Sequence, residues 1–114
     1  MSGRGAMAEQ LAAEFLQRQG LQLLARNYRC RFGEIDLVMQ DGATLVFVEV
    51  RQRRRTDFGG AAASIDVHKQ RKLQLAAEHY LAPLRHLPPC RFDAVLLQNS
   101  GDRVEWLKNA FSAW

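Results

Sequence analysis

The chain predicts an α/β domain built around one central mixed β-sheet with helices on its faces. Three observations lead there. Apolar residues recur at helical spacing over 7–19 and again over 66–81. Short runs rich in Val, Ile, Leu and Phe lie between and after these stretches, bounded by Gly, Asn and Pro. Asp41-Gly42 joins two of those runs with residues that tolerate the positive φ of a tight hairpin turn. The predicted order is αβββαββ, with about five strands.

At 114 residues the chain is read as a single domain, 1–114, large enough for a core without staples. Hydrophobic content of 47% and charged content of 25% argue against a disordered or fibrous chain. The formal charge is +4, and the cations are mostly arginine, whose planar fork of donors suits phosphate. Cys30 and Cys90 lack metal-ligand spacing and read as reduced thiols. No run approaches the ~18 apolar residues of a membrane span. Residues 1–10 lack the apolar core of a signal peptide. A cytoplasmic protein with no membrane partner is expected.

In chain order, residues 1–5 are small and polar and are expected to be mobile. Over 7–19, Met7, Ala8, Leu11, Ala12, Phe15 and Leu16 fall on one helical face, with Gly20 as the C-cap. Glu9 lies near the edge of that face. On these residues alone it is either an acid favoured by the helix dipole or a functional group. Residues 21–31 predict a first strand, bent near Asn27. Its Arg26, Arg29 and Arg31 suit either a solvated edge or phosphate contacts. The hairpin occupies 34–52 and runs into Arg53, Arg54 and Arg55. Residues 56–63, with Gly59-Gly60, predict a flexible loop. Ser64 or Asp66 caps the second helix, which ends near 81 and buries Leu73, Ala76, Ala77 and Tyr80. His68 and His79 have no partner at metal spacing. Pro83, Pro88 and Pro89 keep the next connector non-helical. A strand over 90–98, a turn at 99–102 and an edge strand over 103–107 complete the sheet. The tail keeps Phe111 and Trp114 apolar, for packing on the domain or on a second copy.

Two acids stand inside apolar runs: Asp36 between Ile35 and Leu37, and Glu49 between Val48 and Val50. A carboxylate among such neighbours is costly unless a cation meets it. With Asp41-Gly42 as a two-residue loop, Gln40 pairs with Ala43, Asp36 faces Phe47 and Glu34 faces Glu49. Glu34, Asp36, Glu49 and Arg51 then share one face, and Ile35, Leu37, Met39, Val46, Val48 and Val50 make the other. Asp36 and Glu49 become diagonal neighbours, roughly 7–8 Å apart between backbones. Two such carboxylates can hold Mg²⁺, which keeps waters and takes phosphate oxygens as its other ligands. An ion there would polarise a phosphodiester and acidify a water. Arg51, two residues after Glu49 on the same face, would stabilise charge developing on the phosphate.

These residues carry a family resemblance. GEIDLV at 33–38, VFVEVRQR at 46–53, the lysine-bearing helix IDVHKQRKLQLAAEHYL and RFDAV at 91–95 resemble the bacterial YraN family over nearly the whole chain. That family is similar to the restriction-endonuclease-like superfamily with the PD-(D/E)-x-K signature, and to archaeal Holliday-junction resolvases. The resemblance implies a restriction-endonuclease-like core, a Mg²⁺ or Mn²⁺ site and a nucleic-acid substrate. It implies metal-ligand roles for Asp36 and Glu49 and an outer acidic role for Glu9. By analogy with junction resolvases it implies a homodimer.

One departure from the signature matters: Arg51 stands in place of lysine. Arginine is in effect never deprotonated, so Arg51 can replace an electrostatic lysine but not a basic one. Lys69 in the next helix is a candidate replacement. Three readings follow. The first is a metal-dependent endonuclease that hydrolyses DNA, including branched or structured DNA, through Asp36, Glu49, Arg51 and Glu9. Arg31, Arg53, Arg54, Arg55, Lys69 and Lys72 would hold the nucleic acid. The second is a nucleic-acid-binding module that retains the fold with weak or no catalysis. The third is a buried ion network in which Glu34, Asp36 and Glu49 pair with Arg51 and Arg31.

Overall fold

The computed structural model describes residues 3–53, 65–98 and 103–112, with side chains from Ala6 onward and Arg53 as backbone only. The elements are α1 (Gly3–Arg18), β1 (Gln22–Cys30), β2 (Gly33–Asp41), β3 (Thr44–Arg53), α2 (Val67–Leu81), β4 (Cys90–Gln98) and β5 (Arg103–Phe111). Their order is the predicted αβββαββ. The five strands form one mixed sheet in the order β1-β2-β3-β4-β5. Neighbours are antiparallel except β3 and β4, which run parallel because α2 crosses over between them. Residues 1–2, the arginines at 54–55, the loop at 56–63, Ser64, the turn at 99–102 and Trp114 lie outside the described residues.

One helix covers each face. α1 lays Ala8, Ala12, Ala13 and Leu16 on Leu37, Met39, Val46, Val48, Val95 and Leu97. α2 lays Leu73, Ala76, Ala77 and Leu81 on Ile35, Val38, Phe47, Phe92 and Leu96. Tyr80, expected in that stripe, is only partly buried. Met7, expected on the apolar face of α1, is 65% exposed.

Local signals explain the boundaries. Gly20 adopts φ +100° after α1. Its N–H donates to the Gln17 carbonyl, while Leu21 N–H reaches back to Leu16, closing a Schellman motif. Leu16 and Leu21 are both buried in the cluster beneath α1, the apolar contact that accompanies the motif. Asp66 caps α2 by accepting the Lys69 N–H at 2.8 Å, an interaction worth about 1 kcal/mol. The helix α1 begins at Gly3, earlier than expected, so Glu9 is not in its first turn. Its burial therefore cannot be attributed to the helix dipole, which acts within the first turn. β5 extends to Phe111, past the expected end at 107, and the Phe111 ring stacks on Phe92 at 4.8 Å. Phe111 thus packs on its own domain.

The hairpin register differs from the expectation by two residues. Asp41 pairs with Thr44 and Leu37 with Val48, so the turn residues are Gly42 and Ala43. Gly42 alone takes the positive φ, +60°, as the first central residue of a type II′ turn does. A shift of two preserves the side on which each β3 residue points. The ladder ends at Leu37↔Val48, one residue short of Asp36 and Glu49.

The expected apolar face holds for Leu37, Met39, Val46, Val48 and Val50 but fails at Ile35. Ile35 packs beneath α2, whereas Leu37 and Met39 pack beneath α1. Strict alternation therefore breaks at Asp36. Asn27 on β1, flanked by the Arg26↔Leu37 and Tyr28↔Ile35 pairs, sits beside this break with φ +51°. The predicted bend at Asn27 is thus the partner of a kink in β2. At this break Asp36 lies within reach of Glu9 from α1.

Candidate metal centre

The site grows from that kink. The Val50 N–H donates to Asp36 Oδ2 at 2.8 Å, so the aspartate side chain satisfies β3 just past Leu37↔Val48, where the backbone ladder of these two strands ends. From α1 comes Glu9, 7% exposed, and from the start of β2 comes Glu34. One carboxylate oxygen from each of Glu9, Glu34 and Asp36 lies within 4.8 Å of the other two. From the other side comes Glu49, 4% exposed and hydrogen-bonded to Asp36.

This clustering is electrostatically expensive. Burial, with the neighbouring Asp36 charge, pushes the Glu9 carboxyl up to about 7, against a smaller opposing hydrogen bond from Asn27. Burial also pushes Glu49 up to about 7, helped by its hydrogen bond and charge contact with Asp36. Lys69 and Arg51 pull the other way but do not cancel the rise.

The cations sit mainly on Glu49. Arg51 Nη2 is 3.1 Å and Lys69 Nζ 3.4 Å from the same oxygen, Oε2. Arg29, not Arg31, pairs with Glu34 at 3.1 Å, and the Arg31 guanidinium lies 4.8 Å over the Phe32 ring. The ion network therefore forms only in part. Glu9 Oε1 is buried with no hydrogen-bond partner among the described residues, as is Asn27 Oδ1. An orphaned acceptor beside two other carboxylates fits a hard cation, which takes oxygen ligands.

Of the residues singled out from sequence, the structure brings together Asp36, Glu49, Glu9, Arg51 and Lys69. Lys72 lies beside the same strand: a Cβ added at Gly33 would come 3.9 Å from Lys72 Cβ. Arg31 faces Phe32, and Arg54 and Arg55 lie outside the described residues. Glu34 is the site residue that sequence reasoning did not assign as a ligand. Strand alternation placed it on the acidic face, but nothing along the chain brings Glu9 against it.

The RFDAV stretch has a different role. Asp93, 1% exposed, accepts from Arg91 Nε at 3.0 Å, from Trp106 Nε1 at 2.9 Å and from the Asn109 N–H at 2.9 Å. Arg91 in turn reaches Asp41 at 2.9 Å. This knot ties β5 and the hairpin end of β2 to β4, and it is structural.

A model of the uncharacterised protein family UPF0102 matches residues 8–97. A UPF0102 protein of Methylobacillus flagellatus is 59% identical over 99% of this chain and all of its own length. One from Cupriavidus taiwanensis is 62% identical over 96% of this chain and 83% of its own. One from Nitrosomonas eutropha is 62% identical over 95% and 92%. With matches of this extent, the chain belongs to the UPF0102 family, the YraN family that its motifs resemble.

Proposed function

We propose that the chain is a Mg²⁺- or Mn²⁺-dependent endonuclease that hydrolyses DNA phosphodiester bonds, with branched or structured DNA among its substrates. The observation that carries this is the position of Asp36. It is shared between Glu49 on one side and Glu9 and Glu34 on the other, with two cations on Glu49. The donors are all oxygens and include an orphaned one, so the residues fit a divalent ion. Asp36 and Glu49 would hold it, with Glu9 completing the set. When bound, the ion supplies Lewis acidity at the phosphate and a more acidic water.

The chain supplies the rest. The Val50 amide fixes the rotation of Asp36. Asn27 leans on the Glu9 carboxyl and lowers its cost of ionising. Lys69 and Arg51 oppose the rise that burial causes in the Glu49 carboxyl, and this pair of cations supplies the positive charge that meets the charge developing on the phosphate oxygens. Arg31, Arg53, Arg54, Arg55 and Lys72 hold the nucleic-acid backbone as point or forked charges.

One observation favours a second reading, a DNA-binding module without chemistry: arginine stands at position 51, where the motif has lysine. Purified protein incubated with labelled linear, nicked and four-way DNA decides between them. Cleavage that requires Mg²⁺ or Mn²⁺ and disappears in Asp36→Asn is the expected result. Salt-sensitive binding of the same DNAs with no cleavage of any would instead establish the module.

A further inference from the structure

We infer that Lys69 of α2, rather than Arg51 of β3, is the catalytic cation that meets the attacking water and the scissile phosphate. The inference rests on the nuclease reading above and assigns a role within it. Both cations contact Glu49 Oε2, Arg51 at 3.1 Å and Lys69 at 3.4 Å. They differ in what remains free. Part of the Arg51 fork is turned inward: its Nε is buried with no acceptor among the described residues. A guanidinium is planar, so an inward Nε restricts where its other donors can point. The Lys69 ammonium has three rotatable donors and gives one to Glu49. The two side chains are about equally open to solvent, 35% exposed for Lys69 and 33% for Arg51, so the difference lies in how freely the remaining donors can turn toward a ligand.

Lys69 is also held by a rigid base. Its backbone N–H donates to Asp66 Oδ1 at 2.8 Å, and the Gln70 N–H donates to the Asp66 carbonyl at 2.9 Å. Gln70 Nε2 donates to the carbonyl of Ile65 at 2.9 Å, and Ile65 is buried in the core. The first turn of α2 is therefore fixed on both sides. The helix approaches the acid-bearing strand closely enough that Lys72 Cβ would touch a side chain at Gly33. A lysine delivered from this turn reaches the acid that the sheet itself presents beside an arginine.

In the step proposed, the water oxygen forms a bond to phosphorus. The bond from phosphorus to the leaving ester oxygen breaks and carries its electron pair to that oxygen. The water loses a proton to solvent and the leaving oxygen gains one from solvent. Lys69 remains an ammonium throughout, orienting the nucleophile and offsetting charge on the phosphate, and no other reactant is consumed.

The test compares Lys69→Met, Lys69→Arg and Arg51→Met in single-turnover cleavage of four-way DNA, with Mn²⁺ affinity measured separately by calorimetry. Lys69→Met should lower cleavage at least 100-fold while Mn²⁺ binding is unchanged or tightens a few-fold, because a competitor for Glu49 is gone. Lys69→Arg should recover part of the rate. Arg51→Met should lose no more than about tenfold. A merely structural lysine would move metal affinity and rate down together, and that result overturns the inference. So does Lys69→Met cleavage within threefold of the parent, or Arg51→Met as the more damaging change. Absence of cleavage by the unsubstituted protein on every DNA removes the nuclease reading itself, and this assignment with it.

Discussion

Asp36 takes the backbone N–H of Val50 into its carboxylate, 2.8 Å from Oδ2. A side chain on β2 thereby serves as a hydrogen-bond acceptor for β3. The contact orients the acid before any ligand arrives, and it accounts for an aspartate between Ile35 and Leu37. The same carboxylate also belongs to the cluster with Glu9 and Glu34.

The first prediction separates these two duties. Asparagine at position 36 still offers an oxygen to the Val50 amide but carries no charge. Asp36→Asn should leave thermal stability within about 1 kcal/mol of the parent, the scale of a single hydrogen bond. It should weaken Mn²⁺ binding at least tenfold by calorimetry. Asp36→Ala should additionally lower the melting temperature, because Val50 loses its acceptor.

Protons and metal should compete for the same carboxyls. Glu9 and Glu49 titrate near 7 in the folded chain, raised from 4.5. Between those values the native state binds more protons than the unfolded state. Stability without metal should therefore fall as pH rises from about 5 to 7, and these two acids should contribute no slope below about 4. Moving a carboxyl's titration midpoint by one pH step costs about 1.4 kcal/mol, so Glu49 accounts for a loss on the order of 2–3 kcal/mol. Melting curves from pH 5 to 8 check this. Glu49→Gln should flatten the curve, and Mn²⁺ should raise the melting temperature more at pH 8 than at pH 5.

The fold was legible because helix and strand periods, Gly20 and Asp66 each act locally. The acids were legible because a charge among valines is anomalous within three residues. What the sequence did not disclose was tertiary. The hairpin turn lay one residue further on, at Gly42-Ala43, because a single positive φ sufficed. The kink at Asp36 broke an alternation that arithmetic along the strand assumes, and it moved Ile35 to the opposite face. Glu34 joined the cluster only because α1 brings Glu9 against it. Asp93 resembled Asp36 in its apolar setting, yet Arg91, Trp106 and Asn109 claim it fully.

That contrast gives a third prediction. Asp93 is buried and satisfied, so removing it leaves Arg91 with Asp41 alone and strands the Trp106 and Asn109 N–H groups. Asp93→Ala should cost about 3–5 kcal/mol, the usual penalty for breaking one side of a buried pair. A urea titration measures it. The fraction that remains folded should bind Mn²⁺ with parental affinity, because Asp93 lies outside the Glu9, Glu34 and Asp36 cluster.

Asn27 offers a fourth. Its φ of +51° is tolerated by asparagine and glycine but strained for most other residues. Asn27→Gly should be near neutral for stability, whereas Asn27→Ala should cost about 1–2 kcal/mol. Both remove the amide that favours ionised Glu9, so both should raise the carboxyl titration of Glu9 further. Carboxyl ¹³C shifts followed against pH read this directly.

The last prediction concerns the arginines that leave the end of β3. Arg53, Arg54 and Arg55 follow Glu49 by four to six residues, and the nuclease reading puts them on the path of the nucleic-acid backbone. Binding through such contacts releases counterions, and the slope of log affinity against log salt changes by about 0.9 per contact on duplex DNA. Replacing all three by alanine should reduce the slope by about 2–3 and weaken binding similarly across DNA sequences. Mn²⁺ affinity should not change, because Asp36, Glu49 and Glu9 are untouched. Fluorescence anisotropy across a salt series measures the slope. An unchanged slope would exclude these arginines from the DNA path and leave Arg31 and Lys72 to define it.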